Sequence, residues 1–139
     1  MTAVHIVPEE GIFKGKSDLV ILDNDFTSYK KDVAQIIEFK ATGWSDRSYP
    51  NSLLGVIAVI RQTLLDANWY QKSTQIIEKY PEQNKLVPFH PSLSQLADFQ
   101  LNRKPMLFMT KEEHGALRAL KIADEFNLAP WLLGSGYEY

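Results

Sequence analysis

The run from Pro91 to Gly136, "PSLSQLADFQLNRKPMLFMTKEEHGALRALKIADEFNLAPWLLGSG", constrains the fold more than any other part of the chain. It switches between helical and extended periodicity without a long break. Pro91 suits the first turn of a helix, where its missing N–H has no partner to lose. Leu93, Leu96, Ala97, Leu101 and Phe99 supply that helix with a buried side. Pro105 separates it from a short apolar strand, "MLFM". Thr110 and Glu113 then have the spacing of a capping box. Leu117, Leu120, Ile122, Ala123 and Phe126 give the second helix its apolar cover, and Asn127 suits its C-terminal cap. "APWLLG" reads as a final strand. Helix, strand, helix, strand predicts an α/β fold with parallel strands joined by right-handed crossovers. Strands this apolar fit a sheet covered on both faces or closed into a barrel. The last strand would carry an unpaired edge, which self-association or further sequence must cover.

The N-terminal half reads differently. "SDLVILDN" (17–24) and "AQIIEFKA" (34–41) are apolar runs with polar ends, as in strands. Asp23, Asn24 and Asp25 favour a turn between them, and the short connection predicts an antiparallel pair. "MTAVHIVPEEG" reads as the middle of a domain entered abruptly, with His5 in a frayed terminus. Residues 42–52 have loop composition. A long helix is predicted from Ser52 to Lys79, capped by Asn51 or Ser52 and stopped by Pro81. Leu53, Leu54, Ile57, Ile60, Leu64, Leu65, Asn68 and Trp69 form its stripe. With 139 residues, the whole chain fits a single domain.

Composition narrows the function. Hydrophobic residues make up 45% of the chain, enough for a core. The net charge of -2 argues against nucleic acid as a partner, since phosphate binding calls for a basic excess. The longest apolar run, "LLGVIAVI", falls far short of the roughly 20 residues of a membrane span. The chain has no cysteine, so disulfides and thiolate metal sites are excluded.

Residues able to do chemistry are scattered. His5, His90 and His114 have no metal-pair spacing. Glu112 and Glu113 are explained as favourable charges at a helix start. Glu9 and Glu10, between Pro8 and Gly11, fit a surface turn. "GSGYEY" after a strand matches neither a P-loop nor a dinucleotide fingerprint. It could at most serve as an anion nest in a small-molecule-binding module. Ser135 is not set in a nucleophile elbow. Trp44, Trp69 and Trp131 read as core or interface anchors. No catalytic residue and no metal ligand is identified.

Three segments carry a family resemblance: "VPEEGIFKGKSDLVILDN", "YPNSLLGVIAVIRQTLLDANWY" and "KPMLFMTKEEHGALRALKIADEFNLAPWLLGSGYEY". Together they resemble the middle of metal-dependent amidohydrolases, in particular the imidazolonepropionase-like, dipeptidase-related members. The gaps lie around 25–49 and 73–89. The resemblance implies a partial (β/α) TIM-barrel-like segment, because a whole barrel takes about 250 residues. It implies that the parent uses a divalent, zinc-type metal to hydrolyse amide or other C–N bonds, acting on a small molecule. The H-x-H pair would lie upstream of this segment, and the later histidines and aspartate downstream. No cofactor is therefore expected in this chain. At the end of "MLFM", where the family places an acidic or histidine residue, stands Met109, a poor ligand for such a metal. By analogy, Thr110, Ser135 and Tyr137 would line the substrate. The resulting expectation is an inactive fragment that forms homo-oligomers through open sheet edges. The alternative is a non-catalytic binding or scaffold domain of the same origin.

Overall fold

Apolar residues follow one another along the central strands, "QII" in one and "MLFM" in the other, and the pleat of the backbone sends neighbours to opposite faces. The computed structural model describes residues 3–22, 29–42, 49–82 and 87–136. Its elements run β1 (Ala3–Ile6), β2 (Phe13–Ile21), β3 (Tyr29–Glu38), α1 (Leu53–Lys79), α2 (Pro91–Leu101), β4 (Pro105–Met109), α3 (Glu113–Phe126) and β5 (Ala129–Leu133). The strands form one sheet in the order β1-β2-β3-β4-β5. β1, β2 and β3 are antiparallel neighbours, whereas β3, β4 and β5 are parallel. The expected α/β class and parallel crossovers are present. The N-terminal pair is in fact a trio, because Ala3–Ile6 joins it. His5 is therefore a strand residue paired with Leu19, not part of a frayed end.

A polar bridge joins the three strands in addition to their ladders. Ser17 is fully buried, and its Oγ lies 3.2 Å from both the amide nitrogen and the carbonyl oxygen of Ala34. His5 Nε2 lies 2.7 Å from the same hydroxyl. The hydroxyl thus supplements the β2–β3 ladder where its register shifts between Ser17 and Leu19. An irregular ladder needs such a bond, since a buried unpaired backbone group is costly.

α1 begins as expected, with Ser52 Oγ accepting from Gly55 N at 3.2 Å. Its inward stripe is narrower than the sequence pattern: Val56, Ile60, Leu64, Ala67 and Tyr70 are buried, while Leu54, Leu65 and Trp69 are exposed. In α2 it is Leu96, Ala97 and Phe99 that turn inward, and Leu101 is exposed. In α3, Ala119, Ile122 and Ala123 are buried, and Leu117 and Leu120 are exposed. The departures share a cause: these helices carry more large apolar residues than one packed side can bury. α3 ends at Asn127 in the left-handed region (φ 52), with Leu128 N donating to Ala123 O, which satisfies a terminal carbonyl.

The helices share a face. Ile37 of β3 and Met106 and Phe108 of β4 pack with buried residues of α1, α2 and α3 in one cluster. The opposite face carries a smaller cluster of Ala34, Ile36 and Leu107, with Val7 and Met109 against it and no helical residue. The register of β5 places Trp131 beside Leu107 and Leu133 beside Met109 on this second face. Among the described residues, helices cover one face of the sheet only.

Candidate functional site

Parallel sheets present their chemistry at the carboxyl ends of the strands. At the end of β3 the apolar run "AQII" gives way to Glu38, only 8% exposed. Its partner comes from a β-bulge. Phe13 pairs with Ile37 and Gly15 with Ile36, so Lys14 is the extra residue between them. Gly15 takes the positive φ of 100° that such a bulge uses. The bulge turns Lys14 toward the strand end, where its Nζ lies 2.8 Å from Glu38 Oε2. Both side chains are buried, at 5% and 11% exposure. Lys14 Nζ also donates to the carbonyl of Glu9. Burial by itself raises the pKa of Glu38. The hydrogen bond and charge of Lys14, with the charges of Lys111 and Lys40, outweigh that and hold the carboxyl below its ordinary 4.5.

The second oxygen, Glu38 Oε1, faces Lys111 Nζ at 3.7 Å, beyond hydrogen-bonding distance. Glu38 borders a cleft of about 280 Å³ between the ends of β3 and β4 and the starts of α1 and α3. Phe39, Leu53 and Met109 form its apolar side, and Thr110, Lys111, Glu112 and Arg118 its polar side. Arg118 Nη1 donates to Glu112 Oε1 at 3.3 Å. Lys14 and Glu38 were not singled out in the sequence. The signal was a lone acid closing an apolar strand at the end where such folds work.

Thr110 is at the expected strand end but does not cap the helix. Its backbone N–H and its hydroxyl both donate to Leu133 O, at 2.8 and 3.4 Å. α3 starts at Glu113 with Glu112 at its N-cap, so the Thr110–Glu113 capping box does not form. Thr110 instead extends the β4–β5 ladder by one bond. Gly115 passes so close that a Cβ there would lie 3.3 Å from Thr110 Cβ. Ser135 lies just beyond β5, exposed, at the same carboxyl end of the sheet. Tyr137 and Trp44 lie outside the described residues. Trp69 and Trp131 are partly exposed and are not core residues.

The histidines stay apart in function. His5 bonds Ser17, His90 meets the Tyr70 ring edge-on at 6.4 Å, and His114 is exposed in the first turn of α3. Among the described residues, no group of three His, Cys, Asp or Glu side chains could hold a metal ion. The residues at the strand ends do not fit one either. Met109 offers a thioether, and Glu38 is already paired with cations that would repel another. No helix among the described residues is long and apolar enough to cross a membrane.

No family model matches the chain, and no curated protein matches it. Among solved structures, the chain is similar to an amidohydrolase from Thermotoga maritima, with a TM-score of 0.78 and 18% identity. The likeness covers 94% of this chain and 36% of that one, so this chain spans about a third of that structure's length. The shared feature is the fold.

Proposed function

We propose that this chain is a segment of an amidohydrolase-like protein, without hydrolytic activity of its own. The observation that carries this reading is the one-sided cover of the parallel strands. All three helices described contribute to the cluster on one face, and none to the cluster on the other. Such an arrangement suits staves of a (β/α) barrel, with helices outside and the second face lining the interior. The fold likeness to a third of an amidohydrolase supports the same reading. The whole protein would hydrolyse amide or related C–N bonds of a small molecule, in the manner of imidazolonepropionase-like enzymes, with a zinc-type ion held by residues outside this segment. Thr110, Ser135 and Tyr137 would line the substrate side.

Association belongs to the same proposal. Leu133 O accepts from Thr110 N, so it points toward β4. Backbone alternation then turns Leu132 N–H and C=O toward the edge of β5 that no described strand pairs with, beside Pro130, which has no N–H. Trp131, Leu132 and Leu133 are all exposed there. Copies of the chain associate through that edge.

The test is an assay of the purified chain with added zinc or manganese against dipeptides and N-acyl amino acids. The expected result is no hydrolysis that a chelator abolishes; chelator-sensitive turnover would contradict the proposal. A second reading, a binding or scaffold domain of the same origin, is favoured by the strand-end cleft and its buried ion pair.

A further inference from the structure

The Lys14–Glu38 pair needs an explanation that stability does not give. Burying two charges costs about as much as their attraction returns, and apolar residues of similar size commonly do as well. Here a β-bulge is used to bring the pair together. The result is an asymmetric carboxylate. Oε2 is held by Lys14 at 2.8 Å, while Oε1 has the exposed Lys111 Nζ at 3.7 Å, in a side chain that lines the cleft. A carboxylate fixed through one oxygen, with its other oxygen beyond hydrogen-bonding distance of the nearest cation, suits a ligand N–H or O–H.

The rim carries two cations, Lys111 and Arg118, beside one further carboxylate, Glu112. The Lys111 side chain is 86% exposed and free to swing. Arg118 meets Glu112 through Nη1, one nitrogen of a guanidinium that carries five N–H donors. An acceptor and a cation 3.7 Å apart match a donor and an anionic group on neighbouring carbons of one small molecule. Phe39, Leu53 and Met109 offer an apolar side chain a place to lie. The volume of about 280 Å³ is at the small end of ligand sites, which excludes large occupants.

We propose that the cleft at the carboxyl ends of β3 and β4 binds a small carboxylic acid bearing an adjacent amine or hydroxyl and an apolar side chain. The donor meets Glu38 Oε1, and the carboxylate meets Lys111 and Arg118. Binding is independent of any hydrolytic activity.

The test is a titration of the isotope-labelled chain, followed by the amide signals of Phe39, Thr110, Lys111 and Gly115. The probes are L-leucine, L-2-hydroxy-4-methylpentanoate and 4-methylpentanoate, which differ only at the 2-position. The donor-bearing acids are expected to bind at least about tenfold more tightly than the plain acid. Binding of leucine alone identifies the donor as an amine, and binding of the hydroxy acid alone identifies it as a hydroxyl. Lys111→Ala, a change at an exposed side chain, is expected to weaken binding about fivefold or more. Glu38→Gln is expected to abolish the preference for a 2-substituent. Equal affinity for all three acids, no site-specific shift up to about 10 mM, or an unchanged affinity in Lys111→Ala would overturn the proposal. If Glu38→Gln does not fold, the probe comparison and Lys111→Ala decide it.

Discussion

The two faces of this sheet are made from alternate residues of the same strands, yet they differ in finish. Ile37, Met106 and Phe108 meet three helices. Ile36 and Leu107, their immediate neighbours in sequence, meet strand and loop residues. Beside them at the sheet edge, Trp131 and Leu133 stay 45% exposed. The helix-covered face is complete within the chain, whereas the other is apolar beyond what the described residues cover. Apolar residues on both sides of a strand imply that both sides are shielded in the working state. Stability and association are therefore expected to separate by face.

The largest expected effect is on the helix side. Phe108→Ala removes a fully buried ring and is expected to cost about 3–5 kcal/mol in urea unfolding. Trp131→Ala on the other face is expected to cost less than about 1 kcal/mol, since its ring remains partly in water. Similar losses at both sites would remove the distinction between the faces.

The strand-end pair sharpens the comparison at the boundary. Lys14→Met leaves Glu38 buried with only the more distant charges of Lys111 and Lys40, and a loss of about 3 kcal/mol is expected. Adding Glu38→Leu in the same chain is expected to recover most of it. If the double variant is no better than the single, the cost lies in the bulge and not in the charge.

A smaller effect depends on pH. The folded chain holds the Glu38 pKa below its ordinary 4.5. Its contribution to stability is thus complete above that value and is lost as pH falls through the lower, folded one. The stability gap between the native chain and Glu38→Gln is expected to narrow as pH drops below 4.5. A gap that stays constant into acid would show that the carboxylate charge is not what stabilises the fold.

Legibility in the sequence followed the strength of periodic signals. "MLFM" and "APWLLG" are bounded by Pro105, Thr110, Asn127 and Gly134, and β4 and β5 fall close to where they were expected. α1 starts at its serine cap and stops before Pro81, because both ends have local chemistry. The extra strand β1 was missed because "AVHI" is too short to show alternation. Its place depends on His5 reaching Ser17, twelve residues away. The leucines of α3 misled for another reason. Sequence cannot tell which of two apolar stripes meets the sheet, and the narrow one of Ala119, Ile122 and Ala123 allows the closer approach. Thr110 was placed at the right strand end but given a local partner, while its actual partner, Leu133, comes from the next strand. The Lys14–Glu38 pair was invisible because a bulge, and no fixed spacing, brings the two together.

The open edge of β5 is tested most directly by amide hydrogen exchange at Leu132, compared with Phe108, across a dilution series followed by light scattering. The account expects Leu132 N–H to exchange rapidly in the monomer and to gain protection as the chain associates, while Phe108 stays protected throughout. A Leu132 amide already as protected as that of Phe108 in the dilute monomer would contradict it, because the edge would then be closed within a single chain.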